Sequence, residues 1–236
     1  MMVTDFHSHV LPGIDDGSQS LGESLKLLRM EAEQGIRQVV ATPHFYGHRD
    51  TLEGFLSRRE AAATQLKQAI KTEADLPQVL VAAEVYYFNG ISETSVLKDL
   101  TVEGTDCVLI EMPMQEWTES MYREIARIPE RQGLQPIIAH IDRYIRPFRR
   151  NSHVAKMEQL PVWIQANGEF FLNRMTRNMA LRMLKEERIH LLGSDCHNLS
   201  TRQPNLDQAA ARIREKLGQE ALDHIRSCEE EVFAAL

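Results

Sequence analysis

The sequence predicts an α/β fold in which parallel strands alternate with crossover helices, and three observations carry that expectation. Short β-branched or apolar runs recur along the 236 residues. Each run is followed by an amphipathic stretch of helical length, the alternation that βαβ units produce. No repeat, low-complexity segment or Pro/Gly/Ser linker interrupts it, so residues 1–236 are expected to form one domain, long enough for one closed barrel.

Seven strands are expected, at about 3–9, 37–43, 79–86, 106–111, 136–141, 162–167 and 189–194. Ser20-Leu-Gly-Glu23 fits a capping box that starts a helix ending near Gly35. Asp50 or Thr51 caps a longer helix to about Thr72, and Pro77 stops the chain before the third strand. Later helices are expected at about 116–132, 172–187 and 205–226.

Composition narrows the function. With 43% apolar and 26% charged residues the chain reads as a soluble globular protein, and its net charge of −7 argues against a nucleic-acid partner, which needs a dense cationic surface. No export signal or membrane-inserting segment is expected, which implies a cytoplasmic protein. Cys107, Cys196 and Cys228 form no CxxC pair, so neither a disulfide framework nor a zinc–thiolate site is indicated.

The unusual residues fall at strand ends. His7 and His9 end the first strand, His44 follows the second, Glu84 ends the third and Glu111 the fourth; His140 ends the fifth, and Asp195 and His197 the seventh. Asp16 lies in the turn just beyond the first strand. In a barrel of parallel strands the C-terminal ends carry the catalytic loops, and residues two apart on an extended strand share a face. Any one of these residues has a plain reading: a lone histidine packs with a hydrogen bond, and Asp in an Asp-Gly turn serves the turn. Five imidazoles and four carboxylates in one mouth are costly to bury without cations. A site for two or three divalent ions is therefore expected, with manganese, iron or zinc suiting a donor set that lacks cysteine. In the trinuclear case +6 against −4 leaves a positive field that attracts a dianion such as a phosphate monoester. Arg143 and Arg202 would add donors to its oxygens, and metal-activated water would be the nucleophile.

A second chemistry overlaps this one, because Cys196 and Arg202 have the Cys-x5-Arg spacing of a thiolate phosphatase. Against it, the five intervening residues His-Asn-Leu-Ser-Thr hold no glycine to let the backbone close round an anion. If Asp195 and His197 face the metals from an extended segment, Cys196 points away and only packs.

The blocks Asp5-Phe-His-Ser-His9, Leu11-Pro-Gly-Ile-Asp-Asp-Gly17, Thr42-Pro-His44, Ala83-Glu-Val-Tyr-Tyr87, Ile138-Ala-His-Ile-Asp-Arg-Tyr144 and Ser194-Asp-Cys-His197, followed by Asn198-Leu-Ser-Thr-Arg202, occur in order. Together they resemble the PHP (polymerase and histidinol phosphatase) superfamily, and more narrowly its capsule-type bacterial protein-tyrosine phosphatases, the CpsB/YwqE group. The resemblance implies a distorted seven-stranded (βα) barrel, TIM-barrel-like, with a trinuclear site usually of manganese or iron. It implies that His7, His9, Glu84 and Asp195 hold one ion, that Glu84 bridges to a second held with Glu111 and His140, and that Asp16, His44 and His197 hold a third. It implies that Arg143 and Arg202 orient phosphate. The implied substrate is phosphotyrosine on a bacterial tyrosine kinase, or its Tyr-rich tail, that regulates capsule and exopolysaccharide synthesis. Asp142 stands where Glu is common before the arginine, a mild departure. The rival readings are a PHP phosphatase for a small phosphomonoester such as histidinol phosphate, and a non-catalytic metal-binding partner of a kinase.

Other residues have plainer expectations. The basic run Arg143, Arg146, Arg149 and Arg150, interleaved with Tyr144 and Phe148, is either a solvated rim or a dock for an acidic phosphotyrosine segment. Met112, Met114 and Trp117 line the mouth or pack, and His48, His153, His190 and His224 are surface or structural residues.

Overall fold

The computed structural model describes residues 4–145, 152–157 and 159–234. The chain folds as an α/β protein around a curled, wholly parallel sheet. Among the described residues the strands are β1 (Thr4–Ser8), β2 (Gln38–Ala41), β3 (His44–Phe45), β4 (Gln78–Val81), β5 (Glu84–Tyr86), β6 (Cys107–Glu111), β7 (Gln135–Ile138), β8 (Trp163–Asn167) and β9 (Leu191–Gly193). The helices are α1 (Leu21–Glu33), α2 (Leu52–Ile70), α3 (Glu119–Gln132), α4 (Ile141–Tyr144), α5 (Ser152–Met157), α6 (Gly168–Leu172), α7 (Arg177–Lys185), α8 (Leu206–Leu217) and α9 (Glu220–Phe233).

Strand pairing divides the expected parallel strands between two sheets. A three-stranded sheet in the order β1-β2-β4 adjoins a six-stranded sheet in the order β3-β5-β6-β7-β8-β9. The second expected strand breaks at Thr42-Pro43, where proline has no N–H to donate, and the third breaks at Ala82-Ala83. Each broken strand thereby leaves one sheet and enters the other. At the open side, Asp195 N–H donates to His7 O at 2.7 Å and His9 N–H to Cys196 O at 2.9 Å, so the chain leaving β9 lies beside β1.

Two corrections concern helices. The expected helix at 205–226 is two, because Gly218 takes φ +85° between α8 and α9. The one at 172–187 is replaced by α6 and α7 with a turn between them. Thr51, not Asp50, caps α2 by accepting from Gly54 N–H. At α1, Ser20 accepts from Glu23 N–H as expected, while the Glu23 carboxylate reaches back to Gln19 N–H.

Alternation along the strands sorts the core into two layers. Phe6, Val40, Leu80, Leu109, Ile137 and Leu191 pack together inside the curl, closed by Cys228 and Val232 of α9. Their neighbours Val39, Val81, Val108, Ile110 and Leu192 face outward against Leu27, Leu28, Leu66, Ile125 and Ile128 of the helices. Each fully buried Leu, Ile, Val or Phe contributes about 1.5–3 kcal/mol by leaving water. The inner layer, which continues through Ala82 and Ala139, is an apolar floor, and the polar candidates lie beyond it at the strand C-termini.

Candidate metal centre

Three local devices aim those polar residues inward. In β1 the pairing with β2 runs Thr4 to Gln38 and Asp5 to Val39, but then Ser8 to Ala41, one residue out of step. The extra residue is a bulge, and it lets both Phe6 and His7 face the inside of the curl. His140 would point outward if the alternation of Ile137, Ile138 and Ala139 continued; its φ of +31° turns it back. Asp195 likewise sits at φ +53°, so the Asp195–His197 segment is not extended, and His197 Nδ1 bonds the Asp195 carbonyl oxygen at 3.0 Å.

All nine sequence-derived ligand candidates come together. His7 Nε2 lies 3.2 Å from His9 Nε2, 3.3 Å from Glu84 Oε2 and 3.6 Å from Asp195 Oδ1. His9 Nε2 lies 3.4 and 3.6 Å from the same two oxygens. Those five separations are close to the ~3.4 Å expected between donor atoms that share one ion through bonds of about 2.0–2.1 Å. The other Glu84 oxygen, Oε1, is 2.6 Å from His140 Nε2, which is 3.7 Å from Glu111 Oε1. On the outer side His44 Nε2 and His197 Nε2 stand 3.4 and 3.6 Å from Asp16 Oδ1, and His44 Nδ1 is 2.9 Å from Glu84 Oε2. Burial is graded: the His7 and His140 side chains are fully enclosed, whereas that of Asp16 is 69% exposed and forms the rim.

The electrostatics call for positive charge here. Burial alone would raise the Asp195 carboxyl, but His7, Arg143 and His9 hold it well below the usual range. Burial would depress His9, yet hydrogen bonds to Asp15 and Glu84 push it up to about 10. His197 drops to about 4, through burial and the neighbouring His9. Glu84 Oε2, His44 Nδ1 and His197 Nε2 are enclosed and make no well-aligned hydrogen bond, although the first two stand 2.9 Å apart. Orphaned donor atoms converging on shared centres are what a divalent cation satisfies, so the residues present fit the group.

The sequence reading missed a supporting ring. Asp15 bonds His9 Nδ1 at 2.8 Å through Oδ2, which also accepts from His44 N–H; Gly17 N–H donates to its Oδ1. Gln165 Oε1 faces His7 Nδ1 at 3.2 Å and accepts from His140 N–H at 2.6 Å. Asn167 donates to Asp195 Oδ2 at 3.0 Å, and its own N–H donates to Asp142. Bonds to Nδ1 fix the ring tautomers so that Nε2 of His7 and His9 turns to the shared centre. The signal for Gln165 and Asn167 was their period of two in β8, a strand that carries no ligand-type residue. Asp15 was hidden by its neighbour Asp16.

Both arginines reach the site. Arg143 donates to Asp195 Oδ2 and lies 3.9 Å from Glu111; Arg202 donates to Asp195 Oδ1 at 2.7 Å. Cys196 does not join them. It is fully buried and groups with Asp5 and Glu31 on the α1 side of β1, where burial and those carboxyls push its thiol well up. A thiol held protonated is no nucleophile. Met112 packs in the core, and Trp117 lies edge-on to Tyr144, whose hydroxyl accepts from Met112 N–H. Met114 is 61% exposed. Of the basic run, Arg146, Phe148, Arg149 and Arg150 lie outside the described residues, as does the His153 side chain. His190 and His224 make structural bonds to Ile164 N–H and the Ile189 carbonyl, and His48 is exposed.

Residues 3–232 match the family model described as "Capsular polysaccharide synthesis, CpsB/CapC". The tyrosine-protein phosphatase CpsB of Streptococcus agalactiae is 28% identical over 234 residues, covering 94% of this chain and 93% of that protein. The tyrosine-protein phosphatase YwqE of Bacillus subtilis is 27% identical, covering 92% and 85%. The fold superposes with a TM-score of 0.86, at 24% identity and 99% and 95% coverage, on a structure from work on B. subtilis YwqE and Streptococcus pneumoniae CpsB, described as metal-dependent tyrosine phosphatases. It also superposes, at 0.59 with 13% identity and 96% and 93% coverage, on a histidinol phosphate phosphatase of Lactococcus lactis solved with zinc, L-histidinol and phosphate.

Proposed function

The chain belongs to the CpsB/CapC capsular polysaccharide synthesis family, and from that premise we propose that it is a metal-dependent protein-tyrosine phosphatase. The observation that carries the proposal is the cage of His7, His9, Glu84 and Asp195, in which one oxygen of each carboxylate stands 3.3–3.6 Å from both imidazole nitrogens. Those four residues would hold one ion; Glu84, Glu111 and His140 a second; Asp16, His44 and His197 a third. Manganese heads the candidates, with iron and zinc suited to the same donors. When bound, the cations would supply activated water and neutralise charge on the phosphoryl oxygens.

The chain's own residues do the rest. Asp15 and Gln165 hold the imidazoles in the tautomer that leaves Nε2 free to coordinate. Arg143 and Arg202, which lie on Asp195, would donate to the oxygens of a phosphate over the cage through planar guanidinium forks. The phenol of tyrosine ionises near pH 10, at about 10, so a phenolate leaves with less protonic help than an alkoxide and no dedicated acid is needed. The substrate would be phosphotyrosine on a bacterial tyrosine kinase, or its Tyr-rich tail, that regulates exopolysaccharide assembly, in the cytoplasm. No helix among the described residues is long and apolar enough to cross a membrane. On this reading β2–β3 and β4–β5 are interrupted single strands, and the domain is a distorted seven-stranded barrel spanning 1–236.

The test is phosphate release by manganese-loaded protein from an autophosphorylated kinase tail and from histidinol phosphate, side by side. The expected result is turnover of the tail at far higher kcat/KM. Preference for histidinol phosphate would move the substrate to small phosphomonoesters, and turnover of neither would favour a metal-binding partner of a kinase.

A further inference from the structure

The layer immediately above the metal cage on β3 and β5 is aromatic. β3 and β5 pair in register, His44 against Glu84 and Phe45 against Val85. The next residue of the inward face on each strand is therefore a tyrosine, Tyr46 on one and Tyr86 on the other, and their rings meet at 5.6 Å between centroids. Tyr86 is also the register partner of Glu111 on β6. The Tyr46 ring lies 5.4 Å from that of His44, and the Arg49 guanidinium sits over it at 5.1 Å. Both tyrosines are half-buried, whereas Glu84 beneath Tyr86 is enclosed.

We infer that Tyr46 and Tyr86 form an aryl subsite, a wall that stacks the phenyl ring of the substrate while its phosphate lies on the cage below. This rests on the phosphatase reading and deepens it, because it names what distinguishes an aryl from an alkyl phosphate. Two residues along a strand span about 6.6 Å, so the tyrosines stand beyond His44 and Glu84 toward the mouth and level with Glu111, beside the path by which the ring of a phosphotyrosine would emerge. Edge-to-face or offset contacts between rings add attraction beyond area burial, and the Arg49 cation over Tyr46 holds that ring in place. An alkyl phosphate such as phosphoserine has no ring to set against the wall. Arg143 and Arg202 approach the cage through Asp195, and Tyr46 and Tyr86 through His44 and Glu111, so phosphate and ring would have separate partners.

The test compares wild type with Tyr46→Leu and Tyr46→Phe in the full manganese-loaded chain. Tyr46→Leu is expected to lower kcat/KM for a phosphotyrosine peptide about five- to tenfold more than for the matched phosphoserine peptide. Tyr46→Phe keeps the ring and is expected to restore the ratio. Equal losses on both peptides, or no loss on either, would overturn the subsite. Binding supplies a readout independent of turnover: wild type should bind phenylphosphonate more tightly than methylphosphonate by calorimetry, and Tyr46→Leu should erase the difference. Equal affinities in wild type would overturn the subsite even if tyrosine phosphatase activity stands. A phenyl preference without any phosphatase activity would keep the subsite and reject the function.

Discussion

Two clusters of ionisable residues lie back to back across β1, and only one has the makings of a site. The front cluster mixes five imidazoles, four carboxylates and two arginines around a mouth that opens at Asp16. The rear one, between β1 and α1, holds Asp5, Glu31 and Cys196, all fully buried, with donor atoms as close together as those in front. Proximity of ligand-type atoms therefore does not separate them. In the rear cluster Asp5 is already satisfied: Oδ1 accepts from Ser194 N–H at 2.8 Å and His7 N–H at 3.1 Å, and Oδ2 from the Ser194 hydroxyl at 2.5 Å. Burial and the Asp5 carboxyl beside it push the Glu31 carboxyl well above the usual range. Orphaned atoms occur on both sides, but the two Glu31 oxygens behind are alike and sealed, whereas Glu84 Oε2, His44 Nδ1 and His197 Nε2 in front mix carboxylate and imidazole next to solvent. Reactivity follows from unmet coordination with an entry path, whereas the rear cluster is a clamp that joins β1 to the end of β9.

The sharpest break of this contrast is mutation of one residue in front. His7→Ala or Asp195→Ala should lower turnover of a phosphotyrosine peptide by about 10³-fold or more and reduce bound metal measured by mass spectrometry. Intermediate effects belong to the supporting ring. Asp15→Ala or Gln165→Ala should weaken manganese affinity or activity about 10- to 100-fold, read by metal titration. In the rear, Glu31→Leu should cost about 1–3 kcal/mol of stability in urea melts, because Asp5 loses its partner in a buried place. The same change should leave bound metal per chain unaltered, and loss of metal would merge the two clusters into one unit. Smallest of all, Cys196→Ser should change turnover by no more than about twofold, since the thiol packs away from the mouth. Abolished turnover with normal metal content would restore the thiolate reading.

Much of this was legible in the sequence, for physical reasons. Strand C-termini gather in one mouth, so His7, His9, His44, Glu84, Glu111, His140, Asp195 and His197 could be placed together from strand order alone, with Asp16 following from the turn. Cys196 could be set aside on strand alternation, although Asp195 achieves its orientation through a left-handed backbone rather than an extended one. The β1 bulge and the positive φ of His140 were not legible, because both are settled by tertiary pairing that no local pattern encodes. Nor was the role of Gln165 and Asn167: amides carry no titratable signal, and their importance appears only when β8 lies between His140 and Asp195. The break at Ala82-Ala83 was missed because the apolar run continues through it, and β3 because it is only the two residues His44–Phe45 beyond Pro43.

Dependence on metal is the property that separates this chemistry from every alternative on the same residues. The direct measurement is phosphate release from a phosphotyrosine peptide by protein stripped with chelator, verified as metal-free, and then resupplied with manganese. Activity should vanish on stripping and return with manganese. Full activity in the verified metal-free protein would contradict the metal-centred chemistry.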